Sequence, residues 1–351
     1  MDLFAAFALL AAVSAALLAS LMLLVVGRKA MRDRRESASA RRRRRYRGAL
    51  GGDDRLRLRR VLGGIRGREA QVDLAAVLQD PTAARPDAVV LDVEARRAGL
   101  TRRLREQLSA RNGPNRGRAV LILTHLRLPD GVARLEHMLD DKDPDVRLVT
   151  CAGLPLSHET EAVDALVRAL SRRSLAPERV IERLGQPWAV ESLLSALRQL
   201  DESGERRSAP RVGIARALGV AGDQRAEPAL VRLLATGNIE ERISAARALG
   251  GVGGRRSRAE LERALLDESW PLRAQAAKAL GKVAIKRSVP ALESVLDDPA
   301  WWVRANAASA LRELGEPGRA ALERALDHRD RYARDRAREA LAMDRLGAPV
   351  A

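Results

Sequence analysis

The chain has 351 residues, of which 31% are charged and 46% are hydrophobic, and its formal net charge is +17. Aromatic residues make up only 2% of it, so its apolar content, which is mostly alanine and leucine, favours helices over a core built on aromatic side chains. The single cysteine excludes a disulfide scaffold and a zinc site made of cysteines.

Residues 3–27 form an uncharged stretch that is rich in Ala, Leu and Val. As a helix these 25 residues would extend over about 37 Å, which exceeds the roughly 30 Å of a bilayer's hydrocarbon core. The alternative is a cleaved signal peptide, which requires a basic N-terminal region and an apolar stretch of about 7–15 residues. The N-terminal region here carries the acidic Asp2 and no base, and the apolar stretch is longer than that of a signal peptide. We therefore expect residues 1–27 to be a transmembrane anchor.

A strongly basic segment follows this stretch. Eleven cations lie between Arg28 and Arg47, against two acids. Because arginine and lysine are enriched on the cytoplasmic side of membrane spans, this asymmetry predicts a single-pass protein of the cell membrane, with its N-terminus outside and its bulk in the cytoplasm. Residues 28–54 are expected to be a basic juxtamembrane linker that acts as a topology signal. The alternative role is attraction to anionic headgroups, with candidates Arg41, Arg42, Arg43, Arg44 and Arg45.

Beyond Arg47 the charges are mixed. No long basic run occurs there, and acids alternate with cations as they do on solvated helix faces. A continuous basic stripe, which binding to nucleic acid would require, is therefore not expected. Residues 55–115 have helical patterns without a clean repeat and are expected to be a helical adaptor or degenerate repeats.

The rest of the chain repeats itself. Each repeat begins with an alanine-rich helical segment, which we call the A helix, and continues with a leucine-bearing helical segment, which we call the B helix. Near its start the A helix has an arginine, which we call the unit arginine. Neither helix can bury its apolar face alone, so the pattern predicts helical hairpins that stack on one another. The intervals are 31, 31, 31 and 30 residues, between Arg211, Arg242, Arg273, Arg304 and Arg334.

Several units contain an aspartate, then Val or Leu with the arginine, namely Asp267 with Leu272-Arg273, Asp298 with Val303-Arg304 and Asp141 with Val146-Arg147. After the arginine, the units of Arg242 and Arg273 continue with Ala-Ala and Ala-Leu-Gly. On these residues the chain resembles the HEAT-repeat family, in particular the short bacterial repeats similar to those of phycobilisome lyases. The resemblance implies an all-α fold, a right-handed α-solenoid of stacked hairpins of about 31 residues, behind one N-terminal transmembrane helix. The repeats are regular over residues 205–351 and degenerate over 116–204.

The resemblance also implies a structural ladder, in which the aspartate and the arginine of successive units pair. Its expected members are Asp267, Arg273, Asp298 and Arg304. Two departures predict less regular stacking, because Glu241 occupies the usual Val position and the Arg211 unit lacks the aspartate. The alternative for the arginines is an anion-binding row.

No residue pattern predicts catalysis or metal binding. Cys151 lies in an apolar A helix and is interpreted as a buried structural thiol. The glycine-rich segment 250–254 joins two helices and lacks the lysine of a phosphate loop. We therefore expect no enzyme activity, no catalytic residue, no metal and no cofactor. The histidines are interpreted as surface residues, at His125, His137, His158 and His328.

Large aromatic residues stand two or three positions before the unit arginine in three consecutive units. Stacking of the units should bring them near one another at one edge of the solenoid. Trp and Tyr are enriched at interaction hot spots, so they are candidates for binding a protein. The alternative is that they fill gaps between units. The candidates are Trp270, Trp301, Trp302 and Tyr332.

Together these features predict a membrane-anchored cytoplasmic scaffold that docks a protein partner, such as a membrane enzyme or a signalling protein. One alternative is a nucleic-acid-binding or DNA-repair-type HEAT protein, since some alkylpurine glycosylases look HEAT-like, but the mixed charges disfavour nucleic acid as a partner. The other is a chromophore-lyase-like HEAT enzyme, for which no acid–base set stands out. Fold resemblance alone does not choose between these functions.

Overall fold

The structure, a computed structural model, describes residues 3–84, 86–126, 131–157, 160–171, 175–204, 208–254 and 256–345. Every regular element in these ranges is helical, which confirms the predicted all-α class. The chain divides into two compact units, residues 1–128 and 129–351. The handedness expected for the solenoid stays a prediction.

Among the described residues of the first unit there are six α-helices. They are α1 (Leu3–Leu50), α2 (Arg55–Gly63), α3 (Arg68–Gln79), α4 (Ala88–Arg97), α5 (Leu100–Gln107) and α6 (Gly113–His125). Its core is made of leucines and valines from α2 to α6 and of Tyr46, Ala49 and Leu50 at the end of α1. The last two turns of α1 are therefore part of the folded unit.

Helix α1 bears on two expectations. The linker expected over residues 28–54 is helical as far as Leu50, which accords with the high helix propensity of its arginines and alanines. Among the described residues, none of the helices combines the length and the hydropathy that a membrane span requires. Most side chains of the expected anchor, those of residues 1–21, 23 and 27, lie outside the described part of the chain.

The second unit contains the helices α7 to α20. Those before the regular repeats are α7 (Gly131–Glu136), α8 (Pro144–Gly153), α9 (Thr160–Leu170), α10 (Pro177–Leu184) and α11 (Val190–Glu202). The A helices of the regular repeats are α12 (Ser208–Ala221), α14 (Ile239–Val252), α16 (Trp270–Val283), α18 (Trp301–Glu313) and α20 (Arg331–Arg345). The B helices between them are α13 (Glu227–Thr236), α15 (Ser257–Ala264), α17 (Val289–Glu293) and α19 (Glu316–Ala325).

Consecutive A helices approach each other almost to backbone contact. Eight residues after the unit arginine, three repeats have a glycine that faces an alanine of the next A helix. A Cβ atom on these glycines would lie only 2.7, 3.2 and 2.8 Å from the alanine Cα, for the pairs Gly219/Ala248, Gly250/Ala279 and Gly281/Ala310. Small residues at both positions are therefore required for this packing.

The B helices supply the larger apolar side chains. One leucine per B helix is completely buried, and these leucines recur with the period of the repeat, at Leu230, Leu261, Leu292 and Leu322. Burying a leucine side chain contributes about 2 kcal/mol. Stacking thus combines close contact between A helices with leucine burial by B helices, as the repeat pattern predicts.

The unit arginines Arg273, Arg304 and Arg334 also fix the loop in front of their own helix. The Nη1 atom donates hydrogen bonds to the carbonyl oxygens six and five residues earlier, for example from Arg273 to Asp267 at 2.8 Å and to Glu268 at 2.9 Å. The same motif occurs at Arg147, Arg304 and Arg334 of the second unit and at Arg116 of the first. The loop motif is therefore present as early in the chain as Arg116.

Eleven residues after the unit arginine, the backbone has a positive φ in four repeats. Three of these positions are glycines, Gly222, Gly253 and Gly315, but the fourth is Ala284, with φ of 57°. Because a Cβ atom makes this conformation costly by about 1 kcal/mol, the Ala284→Gly variant should unfold at higher urea concentration. The matched control is Gly222→Ala, which we expect to be destabilised by a similar amount. An unchanged unfolding midpoint in both variants would contradict this account.

Candidate protein-docking site

The expected ladder is present at two steps of the solenoid. Nη2 of Arg242 lies 2.5 Å from the carboxylate of Asp267. The guanidinium of Arg273 binds both carboxylate oxygens of Asp298, through Nε at 2.7 Å and Nη2 at 2.9 Å. This hydrogen-bonded carboxylate raises the pKa of Arg273. We call each such arginine–aspartate pair a rung.

The aspartate of a rung has a second role in its own loop. One carboxylate oxygen accepts the N–H of the residue two positions later, from Ser269 to Asp267 at 2.9 Å and from Ala300 to Asp298 at 2.8 Å. In the loop before α20 the same bond runs from the N–H of Asp330 to Nδ1 of His328, at 3.0 Å. His328 therefore occupies the rung position of the α20 repeat.

The sequence analysis did not recognise that His328 occupies the rung position. Asp267 and Asp298 stand six residues before their unit arginines, and so does His328 before Arg334. Counting forward by 31 residues from Asp298 leads instead to Arg329, because the last interval is 30 residues. The interpretation of His328 as an ordinary surface histidine overlooked this shift.

Arg304 has no rung partner among the described residues. Its side chain is buried, and Nη1 makes the usual bonds to the carbonyl oxygens of Asp298 and Pro299, at 2.6 and 3.0 Å. Nε is buried without a hydrogen-bond partner in the described structure. The guanidinium carbon lies 4.8 Å from the ring centroid of Tyr332, so a cation–π contact replaces the carboxylate.

The two tryptophans of α18 form a second contact with α20. The rings of Trp301 and Trp302 pack edge to face, with centroids 4.5 Å apart and an angle of 86°. The guanidinium of Arg336 lies 5.5 Å from the Trp301 ring. Both tryptophans nevertheless keep 46% and 55% of their surface exposed, so packing within the repeat uses only part of each ring.

A groove of about 460 Å³ opens between α18 and α20 beside these tryptophans. At the position of Gly219, Gly250 and Gly281 in the earlier A helices, α18 has Arg312. Arg312 and Ala340, the residues that would make the glycine–alanine contact of this step, line the groove instead. We call it the docking groove, lined by Trp301, Trp302, Arg312, Arg336, Ala340 and Met343 among others.

The structure separates the four aromatic candidates. Trp301 and Trp302 line the docking groove, and Tyr332 lies on the same side of α20 as Arg336, covering Arg304. Trp270 is 47% exposed at the start of α16 but does not line the groove. Expecting all four at one site was therefore too broad.

The basic candidates of the first unit also divide into two groups. Arg42 and Arg43 bind the buried carboxylate of Asp73, at 2.6 and 3.0 Å, and Ser39 donates a third bond. Burial raises the pKa of Asp73, but these bonds outweigh it and leave the pKa below its ordinary value. Arg42 and Arg43 thus hold α1 against α3, whereas the side chains of the other three candidates are exposed, at Arg41, Arg44 and Arg45.

The remaining reactive side chains form no site in the described ranges. Burial raises the pKa of Cys151 to about 11, so its thiol stays protonated at neutral pH. Nδ1 of His125 lies 2.7 Å from the carbonyl oxygen of Leu121 in its own helix, and His158 lies outside the described residues. Within the described residues, no group of three or more His, Cys, Asp or Glu side chains is placed to hold a metal ion.

Comparison with known proteins identifies the repeat. The HEAT-repeat family matches residues 190–272 and 259–342. Similar solved structures include human deoxyhypusine hydroxylase in complex with glycerol (21% identity, 73% of this chain and 98% of that chain, TM-score 0.31). An engineered protein is 19% identical, with 85% of this chain and 87% of that chain covered and a TM-score of 0.33. A mutant of Kap121p is 15% identical, with 93% of this chain and 43% of that chain covered and a TM-score of 0.48. No curated protein matches the sequence.

The Arg273–Asp298 rung predicts a large effect of a small change. We expect Asp298→Asn to lower the free energy of unfolding by about 2–3 kcal/mol, because the asparagine still accepts the N–H of Ala300 but leaves Arg273 without its carboxylate. Chemical denaturation of the full chain measures this. Asp297→Asn is the control at the neighbouring, exposed acid and should change stability by less than about 0.5 kcal/mol. Equal effects of the two changes would refute the rung as a stabilising contact.

Proposed function

Because residues 190–342 contain HEAT repeats, we propose that the protein is a non-enzymatic scaffold whose docking groove binds another protein. The observation that carries this proposal is the break in the repeat between α18 and α20. Where the two preceding steps have a glycine and an aspartate, this step has Arg312 and His328 and an open groove.

The surface of the groove has the character of a protein-binding site. Trp301, Trp302 and Met343 are each between 42% and 55% exposed, which is unusual for such large apolar side chains. Tryptophan and arginine are the residues most enriched at interaction hot spots. A partner that covers these rings would bury apolar area at a place already shaped by two packed helices.

The pairing of charges in the second unit favours a protein partner over nucleic acid. Arg168 in α9, Arg225 just before α13 and Arg324 in α19 each bind a glutamate of an earlier helix, with N–O distances of 2.7–3.0 Å. A phosphate backbone requires cations that are free to contact it. The glutamates therefore reduce the positive potential around these arginines, in the pairs Arg168–Glu136, Arg225–Glu191 and Arg324–Glu293.

We further propose that the N-terminal segment tethers the scaffold to the inner face of the cell membrane. The support is the sequence, in which uncharged residues 3–27 precede eleven cations. The exposed Arg41, Arg44 and Arg45 can attract anionic headgroups, at about 1 kcal/mol per cation. Tethering would raise the local concentration of a docked partner at the membrane.

The docking groove is tested by the double change Trp301→Ala and Trp302→Ala. Photo-crosslinkers placed at Arg338, an exposed residue of α20, should capture a partner in intact cells. We expect capture to fall at least about tenfold in the double variant, the equivalent of 1.4 kcal/mol, because hot-spot tryptophans contribute that much or more. Trp270→Ala is the matched control with an exposed tryptophan outside the groove and should leave capture unchanged. Equal capture by all three proteins would refute the groove as the docking site.

The tether is tested by fractionation of cells that express either the full chain or residues 28–351. We expect the full chain to stay with the membranes after alkaline carbonate washing, since a spanning helix is not released by loss of charge contacts. The shortened chain should be released. Release of the full chain under the same washing would contradict the anchor and leave the docking groove untouched.

A further inference from the structure

We infer that Arg304 binds a carboxylate of the docking partner, from an Asp or Glu side chain, at the rung that the described residues of the chain leave unfilled. This inference rests on the proposed docking function and adds the chemistry of the partner. It identifies the partner as an acidic protein segment that also carries an apolar side chain for the docking groove.

The preceding unit provides the template for this contact. Arg273 uses Nη1 to bind its own loop and uses Nε and Nη2 to bind both oxygens of Asp298. Arg304 binds its own loop in the same way, at 2.6 and 3.0 Å. Its guanidinium is therefore already oriented for a two-point contact with a carboxylate, which reduces the ordering cost of binding.

The electrostatic environment of Arg304 favours an incoming acid. A buried guanidinium without a carboxylate is costly, and Nε of Arg304 has no hydrogen-bond partner in the described structure. The residue at the rung position, His328, has its Nδ1 occupied by the N–H of Asp330 and cannot replace a carboxylate. Arg331, which lies 5.9 Å from the ring of Tyr332 and whose Nε lies 3.7 Å from a carboxylate oxygen of Asp335, is a second cation at this place.

The nearby acids of the chain are engaged elsewhere. Asp330 accepts the N–H of Ala333 at the start of α20, and Asp335 binds Arg338 at 3.1 Å. The carboxylate of Asp297 lies 4.0 Å from Nε2 of His328. None of these three makes an ion pair with Arg304 among the described contacts, so within the described residues this rung has no carboxylate and a partner can supply one.

Tyr332 controls access to Arg304. Its ring lies over the guanidinium but is 56% exposed, so a rotation of the side chain uncovers the arginine without moving α20. Trp301 stands one helical turn before Arg304 on α18, a rise of about 4.5 Å. One short segment can therefore contact both residues, with an acidic side chain on Arg304 and an apolar side chain in the docking groove.

The experiment selects random 12-residue peptides displayed on phage for binding to the full chain. The expected winners carry an Asp or Glu at a constant distance from an aromatic or aliphatic residue. Changing that acid to its amide should weaken binding at least about tenfold, the loss expected for a charge-assisted contact. The change is made in the peptide, so folding of the protein cannot account for it.

A substitution in the protein provides the complementary test. His328→Asp places a carboxylate at the rung position, so Arg304 should be occupied from within the chain and peptide affinity should fall about tenfold or more. The melting temperature of this variant should rise. His328→Asn is the matched control, because asparagine accepts the N–H of Asp330 but carries no charge, and it should bind peptides as the native chain does.

Each outcome leads to a decision. Loss of binding with the amide peptide and with His328→Asp, but not with His328→Asn, supports the inference. Peptides that require Trp301 and Trp302 but tolerate both changes overturn the role of Arg304 and leave the docking groove intact. If no selected peptide depends on Trp301 and Trp302, the docking groove and the inference fail together.

Discussion

The close approach of successive A helices is the constraint on which the second unit depends. Alanine side chains bury too little area to hold two helices together unless the backbones nearly touch. Glycine at Gly219, Gly250 and Gly281 makes this possible, and the rungs of Asp267 and Asp298 set the loops in the same register. Because every hairpin contacts only its neighbours, each break in these two devices has a local effect.

Both devices are replaced at a single step, between α18 and α20. Arg312 stands in place of the glycine, and His328 in place of the aspartate. Cation–π contacts of Arg304 with Tyr332 and of Arg336 with Trp301 join the two helices instead, and a groove opens between them. The buried Nε of Arg304, which has no hydrogen-bond partner among the described residues, and the exposed Trp301 and Trp302 lie at this step.

The sequence was sufficient to predict the helical hairpins and their period, and its resemblance to HEAT repeats implied a ladder that includes Arg273 and Asp298. These depend on local patterns repeated in register. The contact of Arg42 and Arg43 with Asp73 could not be predicted, because it joins residues about 30 positions apart outside any repeat. The docking groove was also missed, since its lining residues, including Arg312, come together only when α18 packs against α20.

The roles of His328 and Tyr332 illustrate the same limit. Because the last repeat interval is 30 residues and not 31, counting 31 residues forward from Asp298 does not lead to His328. The hydrogen bond from the N–H of Asp330 to Nδ1 of His328 identified the rung position. Tyr332 was identified as a candidate by its type and position, but its partner, Arg304, was expected to be part of the ladder. Side-chain contacts were therefore needed to distinguish the arginines that pair with an aspartate from Arg304, which does not pair with one among the described residues.

Double-mutant cycles on the two steps test the central claim most directly, namely that the ladder is filled at Arg273 and open at Arg304. The account predicts a coupling free energy of about 2 kcal/mol between Arg273 and Asp298, and a value within about 0.5 kcal/mol of zero between Arg304 and His328, each measured by denaturant unfolding of the full chain. A coupling between Arg304 and His328 as large as that of the filled rung would contradict it.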